Sequence, residues 1–290
     1  MLLLAIERGI EDLKCIFADT GNEHPETVRY ISYLSQAVGI EIQTIKADFS
    51  KQIQHKRDLV REKWRNDGVS EERITDALSV LIPSGNPFLD LCLVKGRFPS
   101  TMARFCTAEL KVQIVRNQIY KPILAAGTDI DSWQGIRHDE SKSRSCAIER
   151  DLAMKDETTG AECWNYRPIL DWKAEDCFAI MKKHGIKPNP LYSLGMTRVG
   201  CMPCINARKA EIAEISMRFP EEIDRIARWE NAVSKASKRG DSTFFPTSQG
   251  NGNGIYEIVQ WAKTDRGGRQ FGMFDWIDLP ACSSQYGLCE

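Results

Sequence analysis

Residues 14–47, KCIFADTGNEHPETVRYISYLSQAVGIEIQTIKA, decide the fold. Lys14 to Ala18 is a short apolar run ending in Asp19-Thr20-Gly21, the pattern of a buried strand meeting a turn. His24 to Val38 sets Val28, Ile31, Leu34 and Val38 at helical spacing, and Gly39 closes the run. Glu41 to Ala47 alternates like a second strand. Strand, helix, strand predicts a parallel pair joined by a right-handed crossover, hence an α/β fold. Ligands of such sheets bind beyond the carboxyl ends of the strands, which makes Asp19, Thr20 and Gly21 candidate site residues. Asp-Thr-Gly is also an ordinary turn, so the triplet alone assigns no function.

Upstream, Leu2, Leu3, Ile6 and Ile10 fall at helical spacing, and Gly9 suits a C-cap. Downstream, Phe49 to Trp64 reads as a charged helix and 66–87 as a polar, irregular insertion. Helices are expected over Leu89–Val94, Thr107–Tyr120 and Ala174–His184. A strand is expected over Ser132–Arg137, with a polar loop from Gly135 to Arg144. Pro188, Pro190 and Pro203 punctuate a loop. Lys209 to Arg239 is helical in two pieces split near Pro220, and Ile255 to Lys263 is a short helix. The Gly/Asn-rich stretch 249–254 reads as a mobile loop, and 280–290 shows no pattern. The expected division is an α/β domain over 1–205 and a helical extension with a cysteine-bearing tail over 206–290.

The 290 residues are 42% hydrophobic and 27% charged, a globular mix. Lys+Arg total 39 and Asp+Glu 40, so the global balance advertises neither nucleic acid nor a membrane surface. The longest apolar run, Met1 to Ile6, is too short to span a bilayer and lacks signal-peptide flanks. The chain therefore reads as cytoplasmic. In a reducing compartment, ten cysteines serve cores, metals or redox chemistry. Cys15, Cys92 and Cys177 sit among apolar neighbours as fillers, while Cys146 and Cys163 suit either role.

Arg198-Val199-Gly200-Cys201-Met202-Pro203-Cys204 is the strongest pattern. A C-x-x-C binds a metal or cluster, cycles as a dithiol, or is structural. A Pro/Gly-rich loop precedes it rather than a strand, which ranks ligation first. Four thiolates usually complete a cluster or zinc site, and Cys106, Cys282 and Cys289 are the other candidates. In Gly135-Ile136-Arg137-His138-Asp139-Glu140-Ser141-Lys142-Ser143-Arg144, two arginines and two serines after a strand suit an anion cradle. A solvated loop with i,i+4 ion pairs is the equal alternative. Arg104 and Lys111, two helical turns apart, either face the same crevice or form a solvated face. His24, His55, His138 and His184 show no metal spacing.

FADTGNEHPETVRYI (17–31), RFCTAELK (104–111), WQGIRHDESKSR (133–144), YRPILDW (166–172), NPLYSLGMTRVGCMPCI (189–205) and CSSQYGLCE (282–290) together resemble the phosphoadenosine phosphosulfate (PAPS) reductase family. That family belongs to the adenine nucleotide alpha hydrolases, the PP-loop group. The tail and the WQGIRHDES form resemble phage and prophage members. The resemblance implies a doubly wound, mostly parallel α/β sheet with an adenine nucleotide across the strand ends and a helical C-terminal extension. It implies that Asp19 and Gly21 sit near the adenosine and that Arg137, Ser141 and Arg144 face phosphate or sulfate. Thr20, Arg104, Lys111, Gly135 and Glu140 complete the candidate nucleotide and anion set. It also implies a 4Fe–4S cluster, with Cys106, Cys201 and Cys204 matching ligand positions and Cys282 or Cys289 supplying the fourth.

Two departures follow. The family's Ser-Gly-Gly-x-Asp-Ser phosphate loop and the strand before it do not occur in this sequence, so the sheet is expected to lack its first, central strand and nucleotide affinity to be reduced. The family's Glu-Cys-Gly nucleophile motif is absent, and Leu288-Cys289-Glu290 is a loose echo of it. The first functional expectation is a sulfonucleotide reductase, with Cys289 or Cys282 as nucleophile and a thioredoxin-type thiol releasing sulfite. The alternatives are an ATP-dependent sulfur transferase acting on nucleic acid with a sulfur-donor protein, and a non-catalytic remnant or subunit. A homo-oligomer is compatible with each.

Overall fold

A computed structural model describes residues 1–141, 144–245 and 254–264. The chain begins with α1 (Leu2–Glu7), which Gly9 leaves in the left-handed region at φ 65°. β1 (Cys15–Asp19), α2 (Pro25–Val38) and β2 (Ile42–Lys46) follow as expected. β1 and β2 pair in parallel, Cys15 opposite Ile42 through Asp19 opposite Lys46. Pro25 stands in the first turn of α2, and Gly39 ends it in the left-handed region. The apolar stripe of α2 is only half-buried, with Val28 42% exposed. A two-stranded pair is too narrow to cover it.

α3 (Ser50–Leu59) runs on into a π turn (Val60–Trp64). The expected irregular insertion over 66–87 is overturned, because it contains α4 (Glu71–Val80). Ser70 caps that helix, accepting from Arg73 N–H at 3.4 Å, and Glu71 and Glu72 occupy its first turn. α5 (Pro87–Lys95) starts on an Asn86 cap and stops at Gly96. One long helix, α6, covers 105–125 and contains π turns at Ala108–Val112 and Arg116–Tyr120.

β3 (Ile130–Trp133) ends earlier than the sequence suggested. An unforeseen hairpin, β4 (Arg150–Lys155) and β5 (Glu162–Tyr166), joins it in the order β3-β5-β4. β3 and β5 are parallel, while β4 and β5 are antiparallel. The fold is thus mixed α/β with parallel pairing. Among the described residues, however, the strands form two separate sheets, and neither β1 nor β3 has a second neighbour. α7 (Ala174–Lys183), the short α8 (Pro190–Ser193), α9 (Lys209–Arg218), α10 (Pro220–Ala236) and α11 (Ile255–Ala262) complete the chain.

The main core lies among helices rather than beneath a sheet. Ile53, Trp64, Ile74, Leu81, Phe88 and Leu91 pack with Ile212, Ile223, Ile226, Trp229 and Phe244. Residues on both sides of position 205 therefore share one core. A small second core of Leu124, Ala161 and Cys163 supports the hairpin. Buried Glu230 on α10 accepts from Phe244 N–H at 2.7 Å and Ile255 N–H at 2.8 Å, tying both flanks of 246–253 to one carboxylate.

Candidate functional site

The turn after β1 is almost entirely buried although it is polar. Asp19, Thr20, Asn22, Glu23 and His24 are each less than a tenth exposed. Such groups persist only when hydrogen-bonded. Asp19 Oδ1 accepts from Gly21 N–H at 2.9 Å. Glu23 Oε2 accepts from Thr20 N–H at 3.0 Å, and Thr20 Oγ donates to the same carboxylate at 2.7 Å. Gly21 has φ +79°, and a Cβ there would lie 2.7 Å from Asn86 Oδ1, so only glycine fits. Asn86 Nδ2 donates to the Gly21 carbonyl at 2.7 Å while its Oδ1 caps α5.

A cavity of about 420 Å³ opens beside this turn. Asp19, Gly21 and Glu23 line it together with Arg29, Lys46 and Asn86. Lys46, at the carboxyl end of β2, pairs with Asp19 at 2.7 Å. The position is the one expected for a ligand of a parallel sheet. Thr20 and Asn22 contact the opposite partner, the cysteine loop. Glu23 forms an antiparallel bridge with Cys201, and Met202 N–H donates to the Asn22 carbonyl at 2.8 Å. Asn22 Nδ2 donates to the Pro203 carbonyl at 2.9 Å across a loop whose Met202–Pro203 bond is cis. Thr27 Oγ donates to the Val199 carbonyl. One short turn therefore forms a wall of the cavity and a seat for the C-x-x-C.

Three of the candidate cysteines gather here. Burial pushes the Cys201 thiol up to about 12, with Lys111 opposing and Glu23 and Cys204 adding to the rise. Burial also raises Cys106, with Cys204 adding and Lys111 opposing. Lys111 thus faces the cysteines. Arg104 is exposed and donates to the Thr101 carbonyl at 3.1 Å. Cys204 Sγ receives Asn206 N–H at 3.5 Å and lies 3.9 Å from Arg198 Nη1. Cys201 Sγ lies 3.8 Å from the Thr20 hydroxyl. The donors around Cys204 suit a thiolate ligand, whereas Cys201 Sγ donates toward Glu23 Oε1 at 3.8 Å and would have to give up that proton to ligate; on those terms the residues present fit sulfur ligation. Among the described residues no three ligand-type side chains converge closely enough to hold a metal ion by themselves. Cys282 and Cys289 lie outside the described residues. Of the other cysteines, Cys92 and Cys163 are core fillers, Cys15 and Cys177 are half-buried, and Cys146 is exposed.

No described residue of the 135–144 loop lines this cavity, and its arginines are already paired. Arg137 Nε donates to Asp139 Oδ1 at 3.0 Å and its Nη1 lies 3.3 Å from Glu140. Arg144 pairs with the same Glu140, four residues earlier in the chain. Gly135 packs against Met1, whose Cγ would be 3.1 Å from a Cβ there. Ser141 is exposed, and Lys142 and Ser143 lie outside the described residues. Sequence reading passed over Asn22, Glu23, Asn86 and Arg225. Arg225, on α10, reaches Asn22 Oδ1 across 203 residues of chain and the Met202 carbonyl across 23, contacts no local periodicity reveals.

Comparison with known proteins supports this reading at the level of the family. The phosphoadenosine phosphosulfate reductase domain model matches residues 1–207. An uncharacterized 37.8 kDa protein from the gpa 5′ region of Escherichia phage 186 is 46% identical over 312 aligned residues, covering 99% of this chain and 92% of the relative. A phosphoadenosine 5′-phosphosulfate reductase of Zymomonas mobilis is 26% identical over 76% of this chain and 71% of its own length. An adenosine 5′-phosphosulfate reductase of Burkholderia cepacia is 28% identical over 42% of this chain and 44% of its own. The matched span contains the β1 turn, the paired arginine loop and the cysteine loop alike, and on that ground the chain belongs to the phosphoadenosine phosphosulfate reductase domain family.

Proposed function

We propose that this protein is an adenine-nucleotide-dependent enzyme of sulfur metabolism that reduces a sulfonucleotide to sulfite at the expense of a thiol donor. The observation that carries the reading is the shared wall: the turn from Asp19 to Glu23 borders the cavity on one side and holds Cys201 on the other. A nucleotide in that cavity would be separated from the cysteine loop by the thickness of that one turn. Asp19 and Gly21 take the adenosine end in this reading. Arg137, Glu140, Ser141 and Arg144 form the anion loop, which must exchange its internal ion pairs for substrate contacts.

Cys106, Cys201 and Cys204 would hold a 4Fe–4S cluster, with Cys282 or Cys289 as the fourth ligand. Such a cluster supplies an iron centre whose properties are tuned by hydrogen bonds to its sulfurs. Residues of this chain do the rest. Asn206 N–H and Arg198 steady the Cys204 sulfur, the Thr20 hydroxyl lies beside Cys201, and Lys111 adds positive charge near both. Whichever tail cysteine is not a ligand is the nucleophile. Its thiolate attacks the sulfate sulfur, the S–O bond to the nucleotide breaks, and the nucleotide phosphate leaves with that electron pair. A thioredoxin-type dithiol then attacks the thiosulfonate, sulfite departs, and the donor ends as a disulfide.

The test is direct. Anaerobically prepared protein is given PAPS or adenosine 5′-phosphosulfate with a dithiol, and sulfite is measured. Stoichiometric release of sulfite and nucleotide phosphate is expected. Release of pyrophosphate from ATP in the presence of nucleic acid, with no sulfite from either sulfonucleotide, would overturn the reading in favour of a sulfur transferase.

A further inference from the structure

The site extends into the helices beyond the family-matched span. Arg225 projects from α10, and its Nη2 is a hub. It donates to Asn22 Oδ1 at 3.0 Å and to the Met202 carbonyl at 2.6 Å, and it lies 2.6 Å from Glu222 Oε2. Its guanidinium stacks over Trp229, 4.7 Å from the ring centroid. Glu222, Cys201 and Glu23 all face its charge. Arg225 Nε is buried and has no hydrogen-bond partner among the described residues.

A guanidinium held this way serves more than a surface ion pair. Its two short bonds end on the two segments that meet at the site. One is Asn22, in the turn that borders the cavity. The other is Met202, inside the C-x-x-C itself. Asn22 in turn donates to the Pro203 carbonyl and accepts from Met202 N–H, which closes a ring of hydrogen bonds through residues 22, 202, 203 and 225. Both bonds leave one nitrogen, whose two N–H groups the planar guanidinium holds at a fixed angle, an aim that the freely rotating ammonium of lysine does not preset.

We propose that Arg225 is a positioning residue that latches the Cys201–Cys204 loop onto the turn at Thr20–Glu23, so that the helical extension completes the site. The inference rests on the reading of Cys201 and Cys204 as working thiols, and its test is separable from that reading. The full-length protein is reduced, freed of metal and alkylated with iodoacetamide under native conditions. The rate at each cysteine is then resolved by mass. Buried Cys92 reports the fold, and exposed Cys146 reports the reagent.

In Arg225→Gln, Cys201 should react about tenfold faster relative to Cys146, while Cys92 stays silent. Arg225→Lys, which keeps the charge and the donors but neither the fixed aim nor the stacking on Trp229, should fall between. An unchanged Cys201 rate in Arg225→Gln overturns the proposal. So does exposure of Cys92 in both variants, because Arg225 would then be a general stabiliser and not a latch. Iron and sulfide uptake by the same proteins is measured in parallel. If the wild type takes up no iron, the ligand reading fails, and the alkylation result still decides the latch.

Discussion

His24 does two things with one ring. Its Nδ1 accepts from Glu26 N–H at 3.1 Å and so caps α2, and its edge meets Phe219 at 4.6 Å. Burial lowers its pKa below the ordinary 6.5, because the imidazolium is poorly solvated there, against the pull of Glu26. Only the neutral ring has a lone pair to cap with. Stability from neutral His24 is therefore complete above pH 6.5 and is lost as the pH falls toward the depressed folded value. Urea unfolding should show this acid loss in the wild type and much less of it in His24→Asn, which caps without titrating. His24→Ala should cost about 1 kcal/mol at neutral pH from the cap alone. At this scale the sequence was half legible. Asp19-Thr20-Gly21 could be placed because its position at a strand end is a local fact. Asn22, Glu23 and Arg225 could not, because what makes them matter is a partner distant in sequence.

Helices with strong punctuation were readable from the chain, and weakly patterned elements were not. α2 carries Pro at the start and Gly at the end and is legible from them, while α5 is legible from its apolar run at 89–94 and extends to Pro87 and Gly96 on either side. α4 was hidden because the Pro and Gly of 83–87 dominated the reading, although Ser70-Glu71-Glu72 is a legitimate start. The β4–β5 hairpin was hidden because Arg150, Asp151 and Lys155 break the alternation of apolar residues on an edge strand. Its turn is nevertheless well built, with Asp156 Oδ1 accepting from Thr158 and Thr159 N–H, each at 2.9 Å. α3 presents a further testable feature. Lys56 donates to the Leu93 carbonyl at 2.8 Å, at the end of α5, and burial lowers its pKa to about 8. The unfolded chain holds that proton up to about pH 10.4, so stability should rise between pH 8 and 10.4 by about 1–3 kcal/mol. Lys56→Met should flatten this rise when unfolding free energies of the two proteins are compared across the window.

At the scale of the whole molecule, the fold class was legible and the site of the core was not. Parallel pairing follows from residues 14–47, but the largest core joins α3, α4 and α5 to α9, α10 and α11. A chain ended at residue 207 would lose Ile212, Ile215, Ile223, Ile226, Trp229 and Phe244 from that core. Loss of one such side chain typically costs about 2–5 kcal/mol, and a domain has only about 5–15 kcal/mol in all. The shortened chain should therefore fail to fold, with circular dichroism showing no cooperative thermal transition. A folded 1–207 fragment would show that the helices merely decorate an autonomous domain.

Glu230 carries a practical consequence. Because one carboxylate holds both Phe244 and Ile255, a single substitution there frees two backbone N–H groups at once. Glu230→Gln leaves one acceptor oxygen where two N–H groups now each have their own, so residue 244 and the start of α11 would contend for it and should come loose together rather than one after the other.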